Sequence, residues 1–461
     1  MARARRPTTA SQPELLARLH NIKEDPEEDA PRLALADWLQ ERGDPRGEFI
    51  RAQVEATRLL NQEDPWYASM RWDKAPSMEV GYARQWGEGA SPEARARWDR
   101  AIALLARHGA GWPGPFTGPG VRAEFRRGLL RLSLPVRAFL ARHRQALVGS
   151  EAWAWVEALA LRFLDYRRAA EEAARVAAAP ALAEVACLDL YQCHIGPEAV
   201  RALAASPYLG GLRCLDLECN DLGTDGAAVA ACPGLAGLTS LSLTNNGLGD
   251  AGVAAVAESP HLRLLRTLDL GCNGATPRGA KALARSPLLA GLTGLGLGYQ
   301  YLRDAGVAAL AASPHLAGLR VLSLACSSVG PKGVAALAAA PALAGLRELD
   351  LGKNRVGPGG ARALAESPHL GNLTHLKLDG DSTYRGIGDE GAEALAASRH
   401  LTRLRSLELN QNAIGDAGAR ALAASPSLKG LAQLSLFGNR ISERGREVLV
   451  RRFGDRVGGF A

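Results

Sequence analysis

The chain has 461 residues, which leaves room for several domains or one long repeat array. Hydrophobic residues at 47% and charged residues at 22% exclude wholesale disorder, and no apolar run is long enough to span a membrane. The net charge of +7 is diffuse, with 24 basic against 19 acidic residues in 1–150 and 31 against 29 in the remainder; no unbroken basic run points to nucleic acid.

Residues 1–10, MARARRPTTA, are basic and lack the apolar stretch of a secretory signal. They read as a disordered tail, and the expected compartment is the cytoplasm. Residues 11–60 read as a small helical domain. Ser11 and Glu14 form a capping box ahead of Leu15, Leu16, Leu19 and Ile22. Pro31 opens a second helix that Gly43 ends, and a third begins near Gly47 with Phe49, Ile50 and Val54.

Residues 61–120 are the least patterned part. Trp66, Trp72, Trp86, Trp98 and Trp112 lie there among Pro, Gly and Arg, with a helix predicted from Pro92 to Arg107. Tryptophans beside arginines can stack on nucleic acid, but core aromatics of a small α domain are the plainer reading. Residues 121–155, with a strand from Phe125 to Leu134 and a helix from Arg137 to Leu147, read as a cap and a degenerate repeat.

Repeats occupy 156–449. The pattern L-x-x-L-x-L ends at Leu217, Leu243, Leu270, Leu297, Leu324, Leu351, Leu378, Leu409 and Leu436, mostly 27 residues apart. Earlier copies are Val185, Leu188, Leu190; Val156, Leu159, Leu161; and Leu129, Leu132, Leu134. Alternation predicts a short strand with its leucines on one side. Three residues later stands a polar side chain (Asn220, Asn246, Asn273, Gln300, Ser327, Asn354, Asn412, Asn439), placed to bond the backbone of a neighbouring repeat. The second half of each unit is an alanine-rich helix opened by Asp or Pro and stopped by proline. Glycine recurs inside or at the start of these helices, from Gly226 to Gly445, against its propensity cost, which predicts a close approach that a methyl group would block. Residues 450–461, with Phe453 and Phe460, read as the rear cap.

The unit L-x-x-L-x-L-x-x-(N/C)-x-(L/I)-G followed by a full helix resembles the ribonuclease-inhibitor-like class of leucine-rich repeats. That resemblance implies an α/β solenoid, a horseshoe with a concave parallel sheet and convex helices. Twelve strands about 4.8 Å apart would make an inner arc of roughly 55 Å, a protein-sized surface. The run DAPRLALADWLQERGDPRGEFIRAQ (Asp29 to Gln53) is similar to the planctomycete-type repeat-companion domain found in front of bacterial leucine-rich-repeat proteins. HGAGWPGP, EFRRGLLRLSL and RRFGDRV also look like segments of such proteins.

No GxxxxGK[ST], HExxH or GxSxG motif occurs, so no catalytic site, cofactor or metal is expected and the chain does not read as an enzyme. His261, His315, His369 and His400 fall at helix ends, where a cation is favoured. Cys187 and Cys214 occupy the same strand position and read as reduced thiols; Cys219, Cys272 and Cys326 share a position where small side chains fit. Functional candidates lie on the concave face. Asp189, Asp216, Ser242, Asp269, Gly296, Ser323, Asp350, Lys377, Glu408 and Ser435 alternate with core leucines, flanked by Tyr191, Glu218, Glu348 and Asp379. This stripe is acidic in a basic chain, and like charges on neighbouring strands cost stability. A basic protein would be steered to it; solubility alone also accounts for polar strand positions. DGDSTYRGIGDEG after Leu378 is four residues longer than its siblings, which adds Asp379, Asp381, Tyr384 and Arg385 as rim contacts.

The resulting expectation is a monomeric, non-enzymatic scaffold that binds a protein, with no membrane contact. Two alternatives stay open. One is an activator of a small GTPase, with Arg303, Arg355 or Arg440 offered to the phosphoryl group. The other is nucleic-acid association through the basic N-terminal region.

Overall fold

A three-residue strand can bury only its inward side chain, so each repeat depends on its neighbours for a core. The computed structural model describes residues 12–63, 91–116, 119–143, 148–163, 165–380 and 386–458. They fall into two units, Met1–Asp221 with Ala231–Ser242, and Leu222–Ala230 with Leu243–Ala461. Ser11, Trp66, Trp72, Trp86, Leu147, Asp381, Tyr384, Arg385 and Phe460 lie outside the described residues.

In the first unit, helices α1 (Gln12–Glu24), α2 (Ala30–Glu41) and α3 (Pro45–Glu63) match the three helices expected. Helix α4 (Pro92–His108) starts at Ser91, whose Oγ accepts from the Ala94 amide at 3.2 Å. Trp98 is 6% exposed and so a core aromatic, and the half-buried Trp112 packs 4.9 Å from Phe49 and 5.8 Å from Phe125, centroid to centroid. The strand expected from Phe125 to Leu134 is a hairpin instead. Strand β1 (Arg122–Arg126) pairs antiparallel with β2 (Leu129–Pro135) around Arg127 and Gly128, both at positive φ. At Gly128 a Cβ would sit 2.3 Å from Ile50 Cγ1 of α3, so only glycine lets the helix seat on the turn.

The hairpin starts a parallel series: β2, β3 (Val156–Arg162), β4 (Cys187–Asp189), β5 (Cys214–Asp216) and β6 (Ser240–Ser242). Charges tie the helices to it. Arg32 is buried and bonds Glu157, Arg127 bonds Asp29, and Lys23 Nζ donates to the Glu184 carbonyl at 2.7 Å. Burial pushes the Lys23 ammonium down to about 8. The helical region is therefore fastened by side chains that would be costly to leave buried without partners.

The second unit continues the pattern with β7 (Thr267–Asp269), β8 (Gly294–Gly296), β9 (Val321–Ser323), β10 (Glu348–Asp350), β11 (His375–Lys377), β12 (Ser406–Glu408), β13 (Gln433–Ser435) and β14 (Val457–Gly458). All pair in parallel, leucine against leucine in the repeats (Leu268, Leu295, Leu322, Leu349, Leu376, Leu407, Leu434). Behind them stand helices of eight to eleven residues, from Gly249–Ala257 to Glu443–Phe453. Strand β14 is an unforeseen addition to the sheet beyond Phe453, itself 3% exposed. One expected helix is different: Gly223–Ala231 winds as a 3-10 helix.

Three side-chain ladders satisfy backbone groups that the short strands leave open. The asparagine ladder is the one the sequence suggests. Asn354 Oδ1 accepts from the amides of Ser327 and Val329 at 2.9 and 3.0 Å, while Nδ2 donates to the carbonyls of Leu324, Leu351 and Gly352. Asn220, Asn273, Gln300, Asn412 and Asn439 work in the same way. The second ladder corrects the expected role of aspartate. Asp304 sits in its helix's first turn, but its carboxylate caps the next helix, accepting from Gly330 and Gly333 amides at 2.6 and 2.9 Å. Asp250, Asp389 and Asp416 likewise serve the following repeat. This explains the glycines of the capped helices, where a Cβ at Gly333 would lie 2.8 Å from Asp304 Oδ1 and one at Gly418 2.7 Å from Asp389 Oδ1; at Gly252 and Gly391 it would instead meet the aliphatic side chain four residues earlier, Leu248 at 2.8 Å and Ile387 at 2.5 Å. The third ladder is made by the serine before the helix-stopping proline. Ser313 Oγ donates to the Ala284 carbonyl and Ser367 Oγ to Ala338, each reaching the end of the preceding helix.

Asn354→Ala removes five hydrogen bonds from buried backbone groups. At about 1–3 kcal/mol for each buried group left unpaired, the expected loss is at least 3 kcal/mol in urea unfolding, with Asn354→Asp intermediate because it keeps the acceptor.

Candidate protein-binding face

The side chains between core leucines point away from the helices, as strand alternation requires. Their environments differ along the chain. Asp189 and Asp216 are both 1% exposed. Asp189 Oδ1 accepts from the Tyr191 amide at 2.8 Å and lies 3.7 Å from Arg162, while Oδ2 takes Arg131 at 2.8 Å. Asp216 Oδ1 accepts from the Glu218 amide at 2.9 Å. Glu348 is also 1% exposed. These three carboxylates are thus withdrawn from solvent and cannot be the contact points the sequence suggested. Cross-strand arginine pairing at Asp189 and the tight turn after the strand account for the first two.

In the second unit the row opens to water. Asp269 and Asp350 are half-buried, and each holds its own turn through Oδ1, at 2.9 Å from the amides of Gly271 and Gly352. At Gly296 a Cβ would fall 2.6 Å from the Asp269 carboxyl carbon, so the glycine leaves that carboxylate its place. Burial pushes the Asp350 carboxyl up, against the pull of the Gly352 amide and Lys377. Lys377 bonds Glu408 at 2.9 Å. Asp379 Oδ1 accepts from the Asn410 amide at 2.9 Å, yet burial, with the charges of Glu408 and Asp350, pushes its carboxyl up to about 6. Tyr191 is 37% exposed and Glu218 half-buried, both in the first unit.

Two exposed side chains escaped the sequence reading. Tyr299 and Tyr301 are 57% and 62% exposed at the turn after β8. Tyr299 has φ +56°, in the column of Cys272, Cys326 and Lys353, which share φ between +52° and +56°. The column therefore selects for a left-handed backbone rather than for small side chains, and Tyr299 is held there at a conformational cost of about 1–2 kcal/mol. Alignment of the repeats, not composition, was the signal that marks it.

The remaining candidates separate. All seven cysteines are free, and Cys187 and Cys214 pair in register while buried; burial pushes the Cys187 thiol well up. The histidine column is held by backbone, as where the His369 amide donates to Ser367 Oγ at 3.2 Å, and no group of three metal-ligating side chains occurs among the described residues. Arg303, Arg355 and Arg440 stand exposed in separate repeats. A cavity of about 700 Å³ lies on the helix side, lined by Arg362, Glu366, Glu390, Glu393 and Arg399, none of which belongs to the acidic row. No helix among the described residues is long and apolar enough to cross a membrane.

The family-model match agrees with this architecture. Residues 212–229, 238–257, 261–284, 346–365 and 400–423 match the family model described as Leucine Rich repeat, and the repeats of this chain are leucine-rich repeats. No curated protein matches the sequence. Among solved structures, an internalin (inlF) of Listeria monocytogenes is 17% identical with a TM-score of 0.41, over 71% of this chain and 93% of its own. TLR13 in its complex with ssRNA13 is 18% identical with a TM-score of 0.37, over 63% and 40%. A leucine-rich-repeat protein of Leptospira interrogans is 17% identical with a TM-score of 0.35, over 67% and 86%.

The raised Asp379 carboxyl makes a stability prediction with a definite sign. A carboxyl whose pKa is higher folded than unfolded favours the fold when protonated, and that contribution is lost as pH rises from about 4 to about 6. Asp379→Asn keeps an Oδ1 acceptor for the Asn410 amide. It should raise the melting temperature at pH 7.5 and leave it unchanged below pH 4, as followed by circular dichroism.

Proposed function

We propose that this leucine-rich-repeat chain is a non-enzymatic, monomeric scaffold that holds a basic protein segment against the open sheet face of its second unit. The observation that carries this reading is the half-exposed row Asp269, Asp350, Asp379 and Glu408, four carboxylates set against the single ammonium of Lys377. Between them the floor is low, because Gly296, Gly298, Ala325 and Gly352 carry little or no side chain. Tyr299 and Tyr301 stand above that floor at its edge. An arginine- or lysine-bearing segment can therefore lie along the sheet, meet carboxylates, and stack on a rigid aromatic ring that loses little entropy on binding.

The family-level details belong to the same proposal. A helix of eight to eleven residues in most repeats of the second unit supports the ribonuclease-inhibitor-like class for 156–449. Helices α1–α3 support a repeat-companion module over 11–60.

The test removes charge without removing turns. Asn at 269 and 350 keeps an acceptor for the Gly271 and Gly352 amides, so Asp269→Asn, Asp350→Asn and Glu408→Gln together leave the fold intact. Affinity capture with the intact chain, followed by titration of the captured protein, should show the triple variant binding about tenfold more weakly, some 1.4 kcal/mol. The same partners at the same affinity would remove this face from the proposal.

A further inference from the structure

A second charged surface lies at the other end of the same strands. Each strand is entered from an eight-residue segment that follows a helix. The seven such segments of the second unit, 259–266, 286–293, 313–320, 340–347, 367–374, 398–405 and 425–432, contain seven arginines, one lysine, four histidines and no aspartate or glutamate. Their last positions are Arg266, Thr293, Arg320, Arg347, Thr374 and Arg405, then Ala432. The backbone links these into one column. The Thr293 amide donates to the Arg266 carbonyl at 2.7 Å, Arg320 to Thr293 at 2.7 Å, Arg347 to Arg320 at 2.8 Å, Thr374 to Arg347 at 2.8 Å, and Arg405 to Thr374 at 2.8 Å. With strands about 4.8 Å apart, Arg266 to Arg405 spans about 24 Å.

The charge on this rim is uncompensated. Arg266, Arg347 and Arg405 are exposed, as are Arg263, Arg403 and Lys429. None of these, nor Arg320, forms an ion pair with another described residue; Arg320 donates instead to the Ala317 and Leu319 carbonyls, and Arg403 to Asn372 Oδ1. Asp304 and Asp389 cap helices from the opposite ends of the strands, Glu348 is buried, and Glu258 and Glu366, exposed at the helix ends just before two of the segments, form no ion pair with these arginines. Arg320 and Arg347 are direct neighbours in the column and repel, and no carboxylate on the rim offsets them.

We infer that this rim binds the phosphodiester backbone of nucleic acid, independently of sequence. An acidic protein would need apolar or aromatic anchors at the centre of its interface. Here the arginines are set among Gly, Ala and Thr, and the leucines are buried except Leu264. Phosphate binding needs only charge and counterion release, and guanidinium groups meet phosphates through two parallel hydrogen bonds. A 24 Å row covers about seven steps of a duplex at 3.4 Å each. The site is distinct from the acidic face and does not depend on it. Because its column arginines stand 27 to 58 residues apart, no run in the sequence reveals them.

Fluorescence anisotropy with the full chain tests this, using a labelled 20-base-pair DNA duplex and a labelled 20-nucleotide RNA between 50 and 200 mM salt. One variant changes Arg266, Arg320, Arg347 and Arg405 to Gln. A charge-matched control changes Arg278, Lys281, Lys332 and Arg362, exposed on the helices, to Gln. The rim variant should lose at least about 30-fold in affinity at 100 mM salt, with a log–log salt slope shallower by about 3.6 for a duplex; the control should change less than about threefold. Tighter binding of the duplex identifies double-stranded nucleic acid as the source of the phosphates, and tighter binding of the RNA a single strand. Absence of binding to both at 50 mM salt would overturn the inference, as would equal losses in the two variants. Displacement of the probe by polyglutamate at lower concentration than by unlabelled duplex would also overturn it, in favour of an acidic protein.

Discussion

The whole architecture rests on one requirement: strands only three residues long leave most backbone groups of a repeat without a partner in their own sheet. Each repeat meets that deficit with side chains from its neighbours. An asparagine bonds the amides of the turn before it, an aspartate caps the helix after it, and a serine closes the end of the helix before it. The bonds cross from repeat to repeat in both directions, so loss of one exposes polar groups on two repeats. Packing of the leucines supplies the hydrophobic stabilisation, on the order of 1.5–3 kcal/mol for each fully buried side chain. The ladders decide that the stack has one register, because a slip would leave buried amides unpaired.

Legibility of the sequence followed how local each interaction is. The asparagine ladder could be read because its residue stands at a constant distance from the strand leucines, and only backbone lies within its reach. The aspartates could not be assigned in the same way. An aspartate at a helix start has a familiar local role, and nothing in one repeat shows that Asp304 serves Gly330 and Gly333 instead. The recurring glycines held the missing information. Their cost in a helix predicted a close approach, and at Gly279, Gly333, Gly418 and Gly445 the group that approaches is the preceding repeat's carboxylate. At the front of the chain, the strand over Phe125 to Leu134 became a hairpin because Arg127 and Gly128 take positive φ under Ile50, a contact no periodicity encodes.

The acidic stripe was legible as a column and not as a surface. Alternation places Asp189, Asp216, Asp269 and Asp350 on one side of their strands, and the structure agrees. Exposure is a separate matter. Arg131 reaches Asp189 from a strand of the hairpin, far from it in sequence, and converts an apparent contact residue into a buried ion pair. Asp269 has no such arginine and stays open. Stripes read from repeats therefore overstate binding surfaces wherever a neighbouring element brings a counter-charge.

The aspartate turns also constrain what the open face can do. Asp269 and Asp350 each commit one oxygen to the backbone, which fixes the carboxylate, and Ser323 also bonds Asp350. At Asp269 a group already immobilised loses little side-chain entropy when it binds, so the turn pre-organises the contact. The basic rim is built on the opposite logic. Most of its arginines are long, exposed and unpaired, and they can follow a flexible polyanion rather than fit a shaped one. Opposite charge at the two ends of the same short strands gives the second unit a field with direction. A macromolecule carrying both a basic segment and a phosphate backbone would approach it in one orientation, because reversing the approach brings like charges together at both ends.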